Sequence, residues 1–236
     1  MDLFIVTGAS GGLGKAIAEA AVARGHQVVG ISRTLGKVAG ITEILADLSK
    51  PAAPESIILK VFAQFPLSVV KNIHLVNNAA MIEPIGLAEN NPPEQVTASI
   101  QLNLLAPMLL TESLLKLSAG FAGWRVITNV STGKPKASWS SYSASKQGLR
   151  GFTAAVNKEQ VAGSKVKVIN FDPGVMDTKM QEVIRGSDFD DVERFQNLKL
   201  EGKLVVPSKV AEKLLELLSD PLRIVTEDFS FKEMNS

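Results

Sequence analysis

The sequence predicts an α/β fold in which a doubly wound parallel sheet carries helices on both faces. Short, continuously apolar segments alternate with segments whose apolar residues repeat at helical spacing. Continuous apolar runs are typical of strands buried on both faces of a parallel sheet. The predicted strand ends read TGASGGLG, SRT, AD, NNAA, NVST and DPGVMDT, and most of them are polar or glycine-rich. Because ligands bind outside the carboxyl ends of such strands, this clustering predicts a binding site there.

The predicted elements follow one another without an obvious linker or repeat. Strands are expected at residues 3–7, 26–32, 41–47, 72–80, 125–131, 165–174 and 222–230. Helices are expected at residues 12–25, 49–65, 92–118, 140–163, 176–185 and 207–219. The charged stretch 187–195 is interpreted as an irregular, solvated part of a substrate lid of about residues 175–206. We therefore expect one domain that spans residues 1–236.

Composition excludes several classes of function. A hydrophobic content of 45% over 236 residues fits one α/β domain with a full core. The net charge is +1 and the basic residues are scattered, which gives no reason to expect a nucleic-acid partner. The absence of cysteine excludes disulfides, thiol nucleophiles and cysteine-ligated metals. His26 and His74 are isolated from acidic partners along the sequence, so we expect structural roles for them and no metal site.

The first ten residues, MDLFIVTGAS, lack the basic leader and long apolar stretch of a secretory signal. No apolar run reaches the roughly 18 residues that a membrane span requires. We expect a cytoplasmic protein without a membrane partner.

The segment TGASGGLG (7–14) joins the first strand to the first helix. Glycines let a backbone turn tightly against a phosphate, and a helix N-terminus offers free N–H groups to it. A Walker loop would need glycine at position 9 and a hydroxyl residue at position 16, where the chain has Ala9 and Ala16. The G-x-G-x-x-G pattern also fails, because the glycines fall at 8, 11, 12 and 14. Taken alone, the segment is either a phosphate site or a structural turn.

The end of the second strand favours NADP over NAD. Ser32, Arg33 and Thr34 stand where an NAD-binding protein usually has a carboxylate, and the next acid is Glu43. A guanidinium and two hydroxyls suit a 2′-phosphate. In the alternative reading, Arg33 is only a solvated residue at a strand end.

Tyr142 is the single tyrosine of the chain, and Lys146 follows one helical turn later. Residues four apart share one face of a helix, so the ammonium can lower the pKa of the phenol. Such a phenol can protonate a carbonyl oxygen while a hydride arrives at the carbon. A hydroxyl of Ser131 or Thr132 could hold that oxygen. The alternative is a serine-rich helix start with a lysine that reaches to solvent.

Five motifs occur in the order seen in the short-chain dehydrogenase/reductase family, which the chain resembles from residue 3 to about 220. They are TGASGGLG, NNAA (77–80), Asn103 in QLNLLAP, STG (131–133) followed by YSASK, and DPGVMDT. The stretch PGVMDTKMQEVIR and the SRT segment are most similar to the branch of bacterial benzil reductase and sepiapterin reductase. The resemblance implies a Rossmann-like fold and an oxidoreductase.

The resemblance also implies residue roles. Tyr142 matches the catalytic acid, Lys146 the residue that lowers its pKa and binds the nicotinamide ribose, and Asn103 the asparagine that holds a relay water through its helix backbone. The implied contacts to the cofactor, besides Tyr142 and Lys146, are Gly8, Ser10, Gly12, Leu13, Gly14, Ser32, Arg33, Asp47, Leu48, Asn77, Ala79, Pro173, Gly174, Val175 and Thr178.

Two departures from the family pattern concern the site. Ala80 stands where the family has glycine, which we expect to be tolerated. The segment before Tyr142 is a few residues shorter than usual, so Thr132 or Ser131 could be the catalytic hydroxyl, with a slight preference for Ser131. The residues expected to line the substrate pocket are Met81, Trp139, Met176 and Met180.

The resulting expectation is an NADPH-dependent reductase of a small 1,2-dicarbonyl or of the side-chain ketone of a pterin. Within the family, a reductase of 3-oxoacyl or steroid-type ketones is the alternative. A nucleotide-sensing protein without turnover is the alternative outside catalysis. The resemblance implies a homodimer or homotetramer that pairs through the helices carrying Asn103 and Tyr142.

Overall fold

The computed structural model describes residues 1–36, 38–50 and 54–235. Within them, parallel strands form one sheet of order β3-β2-β1-β4-β5-β6-β7. The strands are β1 (Leu3–Thr7), β2 (Gln27–Ser32), β3 (Thr42–Leu45), β4 (Ile73–Asn77), β5 (Arg125–Val130), β6 (Val166–Asp172) and β7 (Asp228–Ser230). The order reverses between β1 and β4, which confirms the predicted doubly wound sheet and places a ligand crevice at their carboxyl ends.

The helices in the described residues cover both faces. They are α1 (Gly12–Ala23), α2 (Pro54–Gln64), α3 (Pro93–Ile100), α4 (Ala106–Leu117), α5 (Ser140–Lys158), α6 (Lys179–Arg185), α7 (Val192–Leu200) and α8 (Pro207–Leu218). A π-helical turn, Gln101–Leu105, joins α3 to α4. The predicted start of the second helix includes Pro51, which lies outside the described residues. Helix α7 begins inside the stretch that was expected to be irregular, so that expectation was wrong.

Alternation along each strand divides the core into two layers. Leu3 and Ile5 of β1 are fully buried against the layer of α2, α4 and α5. Phe4 and Val6 point to the opposite face and pack with α1 and α8. Full burial of a side chain of this size contributes about 1.5–3 kcal/mol. Burial on both faces explains why the strands lack an alternating polar pattern.

A line of polar side chains, the amide ladder, crosses four neighbouring strands at one register. It consists of Asn77, Asn129, Asn170 and Asp228, which are Cα partners in β4, β5, β6 and β7. Asn77 Nδ2 donates to Asn129 Oδ1 over 2.8 Å, and Asn170 Nδ2 donates to Asp228 Oδ1 over 2.9 Å. Buried amides are stable only with such partners.

Helix α5 completes the ladder between β5 and β6. Asn129 Nδ2 donates to Thr153 Oγ1 over 3.0 Å, and the same hydroxyl donates to Asn170 Oδ1 over 2.9 Å. Thr153 is fully buried on α5. These bonds fix the position of α5 along the strands, and with it the helix turn that carries Tyr142.

The expectation that both histidines are isolated from acids was wrong. Asp2, next to β1, lies with its Oδ2 3.4 Å from His74 Nε2 and 4.0 Å from His26 Nδ1. Phe4 stacks on the His74 ring at 4.4 Å between centroids. Parallel pairing of β1 with β4 brings these residues together although the sequence separates them. In the described part of the chain, no group of three or more His, Cys, Asp and Glu residues could hold a metal.

The continuous helix Pro93–Leu117 is long and apolar enough to cross a membrane by length and composition, with a mean hydropathy of 1.2. A core helix meets the same criteria. Leu110 and Leu114 on this helix are buried in the layer with α2, and Asn103 lies fully buried in its π-helical turn.

The ladder predicts unequal losses of stability for two buried polar residues, one inside the ladder and one outside it. Asn170→Ala should lower the free energy of unfolding by about 1–3 kcal/mol, because it leaves buried hydrogen-bonding groups unpaired. The matched control is Thr128→Val, since the Thr128 hydroxyl is fully buried and has no hydrogen-bond partner among the described residues. Urea unfolding should show little or no loss of stability for that variant. Equal losses in both variants would contradict the role of the ladder.

Candidate active site

The glycine turn lies at the point where the strand order reverses. Thr7 Oγ1 accepts hydrogen bonds from the backbone N–H groups of Asn78 and Ala79, both over 2.9 Å. Gly8 and Gly12 have φ values of +69° and +52°, which favour glycine. A Cβ atom at Gly14 would collide with the carbonyl oxygen of Gly8. The turn therefore folds back on itself more tightly than a chain with side chains could.

This geometry fits a pyrophosphate group. The turn leads into α1, whose first N–H groups are free of helical partners. Nothing lies within 4 Å of the Cβ position at Gly11, so a ligand could approach the backbone there. Thr178 faces the turn, with Cγ2 3.4 Å from the Cβ position at Gly12. The Ser10 side chain is half-buried, whereas Leu13 packs into the core with α1.

Polar groups surround the end of β2. Ser32 Oγ donates to the carbonyl oxygen of Thr34 over 2.7 Å, and the Arg33 side chain is exposed. Asp47 accepts from Ser49 Oγ over 2.6 Å. This hydrogen bond lowers the pKa of Asp47, with a smaller contribution from the positive charge of Arg33. Arg33 and Asp47 thus lie on the same side of the crevice, while Leu48 is buried in the core.

Glu43, the first acid after β2 in the sequence, is already engaged. Its Oε1 accepts a hydrogen bond from the Gly36 backbone N–H over 2.5 Å. The Glu43 carboxylate is thus held by the loop backbone, whereas the Arg33 side chain is exposed. The end of β2 therefore presents an exposed guanidinium, as the sequence indicated.

Asn77, the last residue of β4, and Ala79, two residues later, differ in what they can contact. The Asn77 side chain is buried in the amide ladder, so it faces the sheet interior. Ala79 is half-buried beside Thr7 and packs on the layer of α2 and α4. Asn77 thus supports the crevice from below, and the backbone that follows it forms the crevice edge.

Tyr142 stands in the first turn of α5 and Lys146 one turn later, as the spacing predicts. Lys146 Nζ lies 5.6 Å from the centroid of the phenol ring. It donates a hydrogen bond to the carbonyl oxygen of Val130 over 2.7 Å, and its side chain is 2% exposed. The ammonium is therefore held between the end of β5 and the phenol.

Burial dominates the acid–base properties of both groups. Burial, and then the negative charge of Asp172, raises the pKa of Tyr142 to about 12. Burial lowers the pKa of Lys146 to about 8. The expectation that Lys146 lowers the pKa of the phenol does not hold for the chain alone, because desolvation outweighs the attraction at this separation. Tyr142 is consequently fully protonated at neutral pH.

The two candidate hydroxyls differ in their partners. Ser131 is 3% exposed, and its Oγ donates to the carbonyl oxygen of Lys146 over 3.2 Å. Thr132 is half-buried, and its carbonyl oxygen accepts from Gln147 Nε2 over 3.3 Å. Within the described residues the Thr132 hydroxyl makes no hydrogen bond. The Ser131 hydroxyl thus ties β5 to α5, whereas the Thr132 hydroxyl is free to bind a ligand.

Asn103 lies in the π-helical turn and clamps the chain after β4. Its Oδ1 accepts from the Met81 backbone N–H over 2.9 Å, and its Nδ2 donates to the Met81 carbonyl oxygen over 2.8 Å. The turn bonds Ala106 N–H to the Gln101 carbonyl oxygen, five residues back. Such turns are frequent at functional sites. The clamp holds Met81 by its backbone beside the crevice.

Aromatic rings form one wall beside Tyr142. The aromatic wall consists of Trp139, Phe189 and Phe195, with ring centroids 5.4–6.1 Å apart. Trp139 meets Tyr142 edge to face at 6.1 Å and 86°. Phe195 is 1% exposed, which corrects the expectation that stretch 187–195 is solvated throughout. Its acids face solvent while its two phenylalanines pack inward.

The remaining predicted pocket residues separate into two groups. Met180 packs, like Tyr142, against the buried cluster that contains Trp139 and Phe195. Met176 packs instead against the layer of α1 and α8, next to its bridge partner Val205. The reason is that backbone bonds between Asp177 and Val205 and between Val205 and Val175, both 3.0 Å, close the ends of the lid. Met176 therefore lies in a packed hinge, away from the aromatic wall.

The segment after β6 holds the other predicted cofactor contacts. Pro173 is buried, Gly174 has a φ of +72°, and Val175 packs with Tyr142 in the cluster of the aromatic wall. Asp172 Oδ1 accepts from the Gly174 N–H over 2.9 Å. This turn directs the chain from the end of β6 towards Thr178 and the lid.

Sequence reasoning missed Lys136, Asp172, Phe189 and Phe195. Lys136 Nζ lies 4.9 Å from the Trp139 ring centroid and 4.6 Å from that of Phe195. Two phenylalanines in an otherwise acidic stretch were the available signal, because exposed segments seldom carry repeated large apolar residues. Nothing in the sequence pairs Lys136 with a ring sixty residues away.

The single tyrosine allows a direct test of this electrostatic setting. Ultraviolet titration of the folded chain should give a tyrosinate midpoint of about 12, against about 10 in denaturant. Asp172→Asn should lower the folded midpoint, because it removes a negative charge that disfavours phenolate. The pKa of Tyr142 is higher in the folded than in the unfolded chain. The neutral phenol therefore contributes to the free energy of unfolding below about pH 10, and this contribution is lost as the pH rises towards 12. A folded midpoint at or below the denatured one would contradict the burial argument.

Known proteins share both sequence and fold with this chain. The short chain dehydrogenase family profile matches residues 2–188. Benzil reductase ((S)-benzoin forming) of Bacillus subtilis (strain 168) is 39% identical over 227 residues, which cover 92% of this chain and 93% of the relative. Sepiapterin reductase of Xenopus tropicalis is 29% identical over 239 residues, which cover 92% and 90%. The crystal structure of the KRED1-Pglu enzyme aligns with a TM-score of 0.80 at 27% identity, over 92% of this chain and 94% of that one. The chain therefore belongs to the short chain dehydrogenase family, in the branch of benzil and sepiapterin reductases, and is an oxidoreductase that acts on carbonyl or alcohol groups.

Proposed function

We propose that this protein uses NADPH to reduce a small ketone or 1,2-dicarbonyl, of the benzil or sepiapterin kind, to the alcohol. The observation that carries the proposal is the half-buried Tyr142 phenol, with Lys146 one turn below it and an aromatic wall beside it. The similarity to benzil reductase supports the substrate class. A 1,2-dicarbonyl with an aryl group would pack against Trp139.

The coenzyme would bind along the carboxyl ends of the strands. Gly8, Gly12 and Gly14 would hold its pyrophosphate, Ser32 and Arg33 its 2′-phosphate, Asp47 and Leu48 its adenine, and Lys146 its nicotinamide ribose. Ser10, Leu13, Asn77, Ala79, Pro173, Gly174, Val175 and Thr178 would shape the surrounding crevice. When bound, NADPH supplies the hydride that the reduction needs.

The chain itself supplies the proton. Tyr142 is protonated at neutral pH, so its hydroxyl can donate to the substrate oxygen as that oxygen becomes negative. Lys146 lies close enough to stabilise the resulting phenolate by its charge. A general acid of this kind contributes about 10²- to 10⁴-fold to the rate.

The direct test is NADPH consumption with benzil, measured beside the Tyr142→Phe variant. We expect turnover in the wild type and a loss of at least about 10²-fold in kcat for the variant, because phenylalanine keeps the ring and removes the proton. The loss of turnover with retained NADPH binding would confirm that Tyr142 acts in chemistry. Tight NADPH binding without turnover in the wild type would contradict a reductase and favour a nucleotide-sensing protein.

The coenzyme preference is tested in the same assay. Arg33→Ala should raise KM for NADPH at least about tenfold and leave KM for NADH nearly unchanged, since only NADPH carries a phosphate for the guanidinium. Lys50→Ala removes another exposed positive charge that follows β3 and serves as the control. Equal effects of Arg33→Ala on both coenzymes would contradict the proposed contact.

The hydrogen bonds of the two hydroxyls favour Thr132 as the residue that holds the substrate oxygen, whereas the sequence alone slightly favoured Ser131. The Ser131 hydroxyl donates to the Lys146 carbonyl oxygen, whereas the Thr132 hydroxyl has no hydrogen-bond partner in the part of the chain that the structure describes. Thr132→Val should therefore lower kcat/KM for benzil more than Ser131→Ala, while Ser131→Ala should lower the thermal midpoint more. The reverse order of effects on kcat/KM would assign the role to Ser131.

The cellular setting follows from the same family likeness. We propose a cytoplasmic enzyme, without membrane or nucleic-acid partners, that pairs with copies of itself through the helices carrying Asn103 and Tyr142. Light scattering that shows only a 25.2 kDa species would contradict the pairing.

A further inference from the structure

Lys136 occupies an unusual place for a lysine. It lies in the short loop (residues 133–139) between β5 and α5, where its side chain is half-buried. Its Nζ sits over the rings of Trp139 and Phe195, at 4.9 and 4.6 Å from their centroids. Among the described residues no oxygen accepts a hydrogen bond from this Nζ. The amine therefore has ring faces beside it but three unused hydrogen-bond donors.

The neighbouring indole presents a second unused donor. Trp139 is 7% exposed, and its Nε1 is buried with no hydrogen-bond partner in the described part of the chain. An unpaired buried donor costs about 1–3 kcal/mol. The edge-to-face contact at 6.1 Å joins this indole directly to the Tyr142 ring. Two donors without acceptors among the described residues thus lie at the aromatic wall, one of them on the ring that contacts Tyr142.

The backbone holds both donors in place. The Lys136 N–H donates to Ser143 Oγ over 3.2 Å, and the Ser143 N–H donates to the Trp139 carbonyl oxygen over 2.8 Å. Ser138 between them adopts a φ of +63°, a strained value for a residue other than glycine. Its carbonyl oxygen accepts from Gly86 N–H over 2.8 Å. Strain at this point is held by the surrounding contacts, which is typical of loops that position a functional group.

The charges around Lys136 indicate which acceptor would fit. Burial and the positive charge of Arg194 lower the pKa of Lys136, while the carboxylates of Asp191 and Asp172 oppose the shift. Neither carboxylate lies within ion-pair distance of Nζ in the described residues. The positive charges of Lys136 and Arg194 are matched by the negative charges of Asp172 and Asp191, so no excess positive charge is left to hold a carboxylate ligand and a neutral oxygen is the better partner.

We propose that Lys136 and Trp139 form a donor subsite for a second, neutral oxygen of the substrate, next to the carbonyl group that is reduced. Substrates with vicinal oxygens, such as 1,2-diketones and 2-hydroxy ketones, would satisfy these donors when the lid admits them. A simple ketone of the same shape would leave them unpaired. The inference rests on the proposed carbonyl reductase activity and identifies the residues that select the substrate class.

The test compares two substrates that differ by one oxygen, 1-phenyl-1,2-propanedione and propiophenone. Because a diketone is intrinsically more reactive, the measured quantity is the ratio of their kcat/KM values in each variant divided by that ratio in the wild type. Lys136→Met keeps the chain length and removes the donors. We expect it to lower this ratio by about ten- to a hundredfold, and Lys136→Arg to restore most of it. Trp139→Phe, which removes only the indole N–H and part of the ring, should lower it as well.

Lys134→Met is the matched control, because Lys134 is an exposed lysine of the same loop. The ratio of the two kcat/KM values in the Lys134→Met variant should equal that of the wild type. If Lys136→Met lowers kcat/KM for both substrates equally, the ratio stays that of the wild type. Lys136 then only packs the wall, and the subsite is refuted. Absence of turnover with either substrate in the wild type would overturn the proposed function and the subsite together, whereas turnover with an unchanged ratio overturns the subsite alone.

Discussion

The site depends on one physical constraint, the docking of α5 on the carboxyl ends of β5 and β6. Thr153 links Asn129 to Asn170 inside the core, and Ser131 Oγ bonds the Lys146 carbonyl oxygen nearer the surface. A buried amide finds its partners at one position of the helix, so sliding α5 along the sheet would leave several groups unpaired. The register of α5 in turn sets where the Tyr142 hydroxyl stands relative to the strand ends.

The same burial that fixes α5 determines the chemistry available at its first turn. A phenol with a pKa of about 12 carries its proton at neutral pH, and an amine with a pKa of about 8 is still mostly charged there. Reduction of a carbonyl group needs the first property, because the proton must be present when the oxygen turns negative. The negative charge of Asp172 also raises the pKa of Tyr142 and so favours the protonated phenol. In the chain without a coenzyme, the phenol therefore holds the proton that reduction of a carbonyl group requires.

The sequence was sufficient for the fold and for residues that act within one element. Continuous apolar strands, the Gly8–Gly14 turn and the Tyr142–Lys146 spacing each follow from local periodicity or local backbone geometry. Contacts between distant segments could not be predicted in this way. Asp2 meets His74 only through strand pairing, and Lys136 meets Phe195 only because the lid folds back. The pKa of Tyr142 was misjudged for the same reason, since its burial depends on the lid and the loop together.

A crystal structure of the chain with NADP⁺ would show whether Tyr142 and Lys146 act together on the coenzyme. We expect the 2′-phosphate at Arg33 and the nicotinamide ribose within hydrogen-bond distance of both Lys146 Nζ and Tyr142 Oη. Lys146 would then share its donors between the ribose and the Val130 carbonyl oxygen. A coenzyme whose ribose lies away from α5, with Lys146 still bound only to Val130, would contradict the assignment of Tyr142 and Lys146 as the catalytic pair.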